Sequence, residues 1–404
     1  MGFFFLILIS IESRELADFR IFIKASEELL NQNNIYKISY IDGFYYYYDV
    51  LFALIISPLQ YIPLYWANFI WLALNLFFSY RIWEIIKHYL PTKLLIVSQL
   101  RLFSVLTFAF IFSLWHKNIH VTQMTIFILF LCLEGIYLTE NKKPILASLC
   151  IGLGISIKIL PIVLIPYFLY RGNFKVATYC VIATVVILYI PLFIIGYDYH
   201  LLLLNERWQS LNPMNSEHIL DVTEKSFHSL TTLLSVLFVE DAGNNHSLDL
   251  KRNLLDLSHE TLNIIINVTR LAFVSATLFF IRSWPFRKAA SRLQTFYELS
   301  YILLIIPLIF PHQQHYSFFL ALPAISYLVF FYIQKYYFVP GSFSTLNKYG
   351  LIVLASIVFL LLNSHFLVGE YRNIYDHYKT LTYGIIMIIP ILAMARPNAL
   401  ANND

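Results

Sequence analysis

The chain has 404 residues, 59% hydrophobic and 13% charged, with a formal charge of +4 and a mean hydropathy of +0.66. Soluble domains average ~45 to 50% apolar and ~25% charged residues, so this composition excludes an ordinary soluble globular protein. Apolar runs recur from Phe3 to Ala395, which predicts one polytopic, all-α transmembrane domain over 1–404.

The first run, Phe3 to Ile11, is too short to cross ~30 Å of hydrocarbon. It has neither a cationic lead-in nor a small-residue cleavage site, so it does not read as a signal peptide. One reading is a first helix whose upstream part precedes this sequence. From Glu12 to Asn31, apolar residues at 16, 19, 22, 23, 29 and 30 have helical spacing. This predicts a helix lying on the membrane surface in the first outer loop, with Asp18 at the interface. The tyrosines Tyr45 to Tyr48, with Tyr197, Tyr199 and Trp208, are either an interfacial aromatic belt or a stacking wall for a sugar or lipid.

Further apolar segments cover 50–83, 97–115, 121–138, 145–170, 176–196, 262–282, 295–310, 315–334, 349–367 and 381–395. They predict about eleven to twelve crossings at ~20 residues each. Segment 50–83 holds Pro58 and Pro63 and crosses once or twice; 145–170 holds Lys158 and Pro161 and is two short helices or one long one. The positive-inside rule favours a single crossing at 50–83 and a hairpin at 145–170 with Lys158 at its outer apex. The cations Arg171, Lys175, Arg282, Arg287, Lys288, Arg292, Lys335, Lys348 and Arg396 then lie on the cytoplasmic side. Loops 12–49, 197–261, 311–314 and 368–380 fall outside, and function is expected there. The positive charge orients the chain, and no nucleic-acid partner is expected.

Lys158 sits in an apolar run without an adjacent acid. It either snorkels to an interface or marks function, as charges within a membrane often do. His315 follows Pro311 at the outer end of a helix, where it is a solvated imidazole or a ligand for a phosphate. His116, His120 and Gln123 form a second polar group. Cys132, Cys150 and Cys180 lie in apolar runs and read as small hydrophobes. The loop from Glu240 to Glu260 lacks metal-ligand spacing and reads as a solvated outer loop, so neither a metal nor a cofactor is expected.

Asp18-Phe19, Ala25, Asn33 to Tyr36, Tyr45 to Tyr48 and Pro58-Leu59 follow in the order of a motif series that resembles glycosyltransferase family 87 of the GT-C superfamily. Downstream, Gln123, Gly152-Leu-Gly154-Ile-Ser-Ile-Lys158-Ile-Leu-Pro161, Arg171 to Lys175, Phe227-His228-Ser229-Leu230 and Pro311-His-Gln-Gln-His315 continue the resemblance. Two departures stand out: Tyr48-Asp49 replaces Tyr-Pro-Pro, and Phe227-His228 replaces Asn-Gln. The resemblance implies an inverting membrane hexosyltransferase that moves a sugar, mannose first, from a polyprenyl-phosphate donor to a lipid-linked or glycan acceptor. Asp18 would be the general base, Lys158 and His315 the donor-phosphate ligands, and Gln123, His228, Ser229 and Tyr48 substrate contacts. The implied location is the bacterial inner (plasma) membrane, among its lipids, with the active site on the outer face. The competing expectation is a flippase or transporter of lipid-linked sugars. That reading requires charges along a mid-membrane path, for which Lys158 and Glu134 are the candidates.

Overall fold

The computed structural model describes residues 2–41, 43–211, 220–338 and 345–397. Asp42 and 212–219, within the expected outer loops 12–49 and 197–261, lie outside the described residues. The regular structure is helical, with two isolated bridges, Ile41 to Phe44 and Phe227 to Gln314, and no strand among the described residues. A helix satisfies its own backbone groups, which is the condition for crossing hydrocarbon.

Among the described residues, seven helices have the length and composition of a membrane span. They are Leu64–Tyr89, Val97–His120, Phe174–Ile195, His259–Ile281, Arg292–Ile309, His315–Phe338 and Lys348–Leu367. Gly369–His377 and Thr380–Met394, bent by 70°, make an eighth if they are taken as one span. About eleven to twelve are expected from apolar runs alone, and the difference lies in runs that fold as shorter helices. Val50–Tyr61, Pro144–Ile157 and Leu160–Tyr170 are of this kind, as is the 16-residue Thr125–Glu140. Proline and cap residues cut them short. Pro63 precedes Leu64, so only Leu64–Tyr89 within 50–83 reaches spanning length. Lys158 is extended at φ −144°, which ends Pro144–Ile157, and a 3-10 turn over Leu160–Val163 leads on to Leu164–Tyr170.

The chain forms two compact units. The first comprises Met1–Ile85, Lys117–Pro213 and Pro285–Lys288. In it, Pro144–Ile157 packs between Thr125–Glu140 and Phe174–Tyr189. A Cβ at Gly152 would lie 2.9 Å from Ala183 Cβ, and one at Gly135 would lie 2.5 Å from Ile151 Cγ1. The glycines thus permit a close approach of helices that have no water to squeeze out between them. Arg81 grips both carboxylate oxygens of Glu134 at 2.7 and 3.0 Å, so this mid-run acid is already neutralised.

The second unit comprises Ile86–His116, Met214–Trp284 and Ala289–Asp404. Its core is built on Arg292–Ile309 and His315–Phe338, the most enclosed of the seven spans. Tyr301 stacks on Phe280 at 3.9 Å, and the buried Tyr327 hydroxyl donates to Ala395 O at 2.7 Å. Cys132 and Cys180 are buried in the first unit, as small hydrophobes would be.

The expected outer loops meet one another within each unit. In the first, Lys37 Nζ lies 2.7 Å from Glu206 Oε1, and the Tyr199 hydroxyl donates to Asn33 O at 2.6 Å. In the second, His228 N donates to Gln313 O at 2.8 Å, and Lys379 Nζ donates to Lys225 O at 2.8 Å. Most described residues of the loop 240–260 are exposed, and the half-buried Arg252 guanidinium donates to the carbonyls of Ala242 and His377.

Candidate functional site

In the first unit the expected surface helix begins later than its sequence spacing suggests. The helix Gly2–Glu12 ends, a turn with Leu16 at φ 58° follows, and the amphipathic helix is Phe19–Leu30. Its inner face buries Phe19, Phe22, Ile23, Ala25 and Leu29, while Leu30 is exposed. It packs on Val50–Ile56 and Ser57–Tyr61. The turn is pinned from below: Asn68 Nδ2 donates to Ser13 O at 3.3 Å, and His120 Nδ1 lies 2.9 Å from Glu12 Oε2.

Asp18 stands at the N-cap of Phe19–Leu30 but makes no side-chain cap hydrogen bond. A capping aspartate is worth about 1 kcal/mol, so this carboxylate forgoes its usual stabilising task. It accepts instead from the Gln123 amide. Gln123 is itself buried, in the turn between Val97–His120 and Thr125–Glu140, and its Oε1 accepts from the Tyr48 hydroxyl at 2.9 Å. The Gln123 amide is therefore fixed, with its oxygen toward Tyr48 and its nitrogen toward Asp18. Desolvation pushes the Asp18 carboxyl up to about 6, against the pull of the Gln123 hydrogen bond and the Lys117 charge.

The tyrosine run is extended, and alternate rings face opposite ways. Tyr46 is buried and Tyr48 half-buried, while Tyr45 and Tyr47 are exposed. Tyr48 packs edge-on against Phe22 at 5.2 Å and Phe52 at 5.8 Å, and its carbonyl accepts from Tyr36 at 2.9 Å. Tyr197 and Trp208 stay exposed, as an aromatic belt requires.

Asp49, next to Tyr48, caps Val50–Ile56 by accepting from Leu51 N at 2.8 Å. Its other oxygen lies 2.5 Å from Arg207 Nη1, and Arg207 Nη2 donates to Ser156 O at 2.6 Å and Ile157 O at 3.4 Å. Those carbonyls end the helix immediately before Lys158. A continuous string of contacts therefore runs from Asp18 through Gln123, Tyr48, Asp49 and Arg207 to the break at Lys158. Arg207 was not anticipated from the sequence, and the departure of Asp49 from the family pattern was the only signal pointing to it.

The second unit holds the motifs at Phe227 to Leu230 and Pro311 to His315. Phe227 bridges Gln314, and the His228 and His315 rings lie 6.2 Å apart. Both are buried. His228 Nε2 is 3.3 Å from Asp376 Oδ1, and His315 lies 4.6 Å from the His365 ring and 6.3 Å from Tyr375. His315 is therefore enclosed rather than solvated. Burial holds the His228 imidazole below its ordinary pKa, the Asp376 contact working in the opposite direction. Ser229 caps Leu230–Phe238 through Thr232 N and donates to Asp221 Oδ2 at 2.5 Å. Fully buried Asp221, another residue the sequence did not flag, also accepts from His312 N at 2.9 Å and lies 2.6 Å from His312 Nδ1. Ser229 thus has a complete structural role in holding the Pro311–His315 turn. Among the described residues, no group of three or more His, Cys, Asp or Glu side chains is placed to hold a metal ion.

No curated protein matches the chain. The model of glycosyltransferase family 87 matches residues 46–311, about two thirds of the 404 residues. The matched stretch contains Tyr48, Gln123, Lys158, His228 and Ser229; Asp18 and His315 flank it. The motif order, the apolar helices and this match agree, and the chain belongs to glycosyltransferase family 87, the membrane glycosyltransferases.

Proposed function

We propose that the protein transfers a hexose, mannose first, from a polyprenyl-phosphate donor to a lipid-linked or glycan acceptor, with inversion. The site would face outward from a bacterial inner membrane, because the expected outer loops associate within each unit. The carrying observation is Asp18, a half-buried carboxylate released from capping and aimed by Gln123. It takes the acceptor hydroxyl's proton as that oxygen bonds to the anomeric carbon, and the C–O bond to phosphate breaks with its electrons on the phosphate. Lys158 supplies the cation that stabilises this leaving charge. Tyr48 and Gln123 position the base.

The test is transfer of labelled mannose from polyprenyl-phosphate mannose by purified protein in detergent. Movement of labelled lipid across liposomes without glycosyl transfer would replace this reading with a transporter.

The pH profile gives an independent check. A base must be deprotonated, so kcat/KM should rise with pH through about 6. Gln123→Leu removes the hydrogen bond that opposes desolvation, so its acid limb should move to higher pH. An unmoved limb would assign the profile to another group.

Lys158→Met retains the apolar stem and removes the cation. Normal insertion and stability with kcat lower by about 10² is the result expected of a phosphate ligand. Normal activity would make Lys158 an interfacial anchor.

A further inference from the structure

In the second unit, a cavity of about 410 Å³ lies between Val97–His120, His315–Phe338, Lys348–Leu367 and Thr380–Met394. Its floor is buried and apolar, with Ile325, Leu328, Val358 and Ile388, and its rim residues Leu102 and Ile352 are exposed. The volume is within the ~300 to 1,000 Å³ of ligand pockets. The polar side chains of the lining, Tyr332, Tyr336, Tyr337 and Lys348, lie toward one end. Tyr336 and Tyr337, near the end of Leu322–Phe338, stand with Lys348, near the start of Thr345–Leu367. Lys348 Nζ lies 5.2 Å from the Tyr336 ring centre.

The length of the cavity identifies its occupant. From Ile325 to Tyr337 the helix rises about 18 Å at ~1.5 Å per residue. One leaflet of a ~30 Å hydrocarbon core is about 15 Å deep. The cavity is therefore as long as one leaflet, apolar at the depth of chain ends and cationic at the depth of headgroups. By the positive-inside rule Lys348 belongs to the cytoplasmic leaflet, opposite the expected face of catalysis.

We propose that this cavity binds a membrane phospholipid with an anionic headgroup, its acyl chain against Ile325, Val358 and Ile388 and its phosphate at Lys348. The tyrosine rings flank the glycerol level, where amphipathic aromatics settle. This goes beyond the glycosyl transfer and does not depend on the identity of the base.

The test is native mass spectrometry and lipid titration on the full chain in neutral detergent. Phosphatidylglycerol, phosphatidylcholine and polyprenyl phosphate serve as probes. Phosphatidylglycerol should be retained about fivefold better than phosphatidylcholine, which is what one lysine near an anionic headgroup is worth. Lys348→Gln should erase that preference while retaining chain binding. Ala355→Phe, which fills the cavity from its wall, should weaken both phospholipids and leave the two-lipid ratio unchanged. Equal retention of the two phospholipids by the wild type would overturn the proposal, as would a preference surviving Lys348→Gln. Displacement of phosphatidylglycerol by equimolar polyprenyl phosphate through the same two residues would overturn it in favour of a donor or product site.

Discussion

Asp18→Asn should lower kcat by about 10² or more with expression, membrane insertion and substrate KM close to wild type, the loss expected when a general base is removed. The substitution preserves the geometry. Asparagine keeps an acceptor oxygen for the Gln123 amide and stands at a helix start where Asp18 makes no cap bond. Stability separates the roles further. The Asp18 carboxyl goes from an ordinary 3.8 to about 6 on folding, so between these values the folded chain holds more protons than the unfolded one. Stability contributed by this group is therefore present at acid pH and lost as pH rises through about 6. A neutral asparagine should leave the protein no less stable at pH 7, although it is a poor enzyme. A structural carboxylate would give the opposite pair of results, unchanged kcat and reduced stability. Unchanged turnover would move the base to another outer acid, Glu15 first.

Much of the helical framework was legible because burial in hydrocarbon leaves a long-range compositional mark. The expected segments 97–115, 176–196, 262–282 and 349–367 match Val97–His120, Phe174–Ile195, His259–Ile281 and Lys348–Leu367 to within three residues at every end except that at His120. Breaks left a weaker mark. A run such as 145–170 is apolar throughout, and its division at Lys158 depends on extended backbone and on Pro161 rather than on polarity. The onset of the first surface helix was displaced for a similar reason: apolar spacing continues through Leu16, whose left-handed backbone stops the helix there.

Asp18, Tyr48 and Gln123 were singled out separately, and the structure places them in one hydrogen-bonded group. Such grouping cannot be read from spacing, since Tyr48 and Gln123 stand 75 residues apart. Likewise His228 and His315 share one buried cluster, but its other members, His365, Tyr375 and Asp376, come from the last third of the chain. Arg207 and Asp221 escaped notice because a charge whose partner, Asp49 for the first and His312 for the second, is distant in sequence leaves no periodicity. Each looked like an isolated charge in a polar loop or helix.

The pair of Asp49 and Arg207 has the largest expected effect on stability. The carboxylate is 1% exposed and the guanidinium 12%, so neither charge has water to fall back on. Arg207→Ala would strand a buried carboxylate and release the two carbonyls that end Pro144–Ile157, at a cost of about 3 to 5 kcal/mol. Asp49→Leu should cost a comparable amount, because it strands the guanidinium and also removes the cap of Val50–Ile56. Joining Asp49→Leu with Arg207→Met removes both charges together, and the double variant should be more stable than the sum of the two single losses by at least 1 kcal/mol. Unfolding in mixed detergent micelles measures all three. Losses that add to within about 0.5 kcal/mol would mean that the two groups do not act as a pair. Activity adds a second readout: the double variant should recover fold but not turnover, since Arg207 also fixes the helix end from which Lys158 projects. Full turnover in the double variant would show that Lys158 finds its place without Arg207.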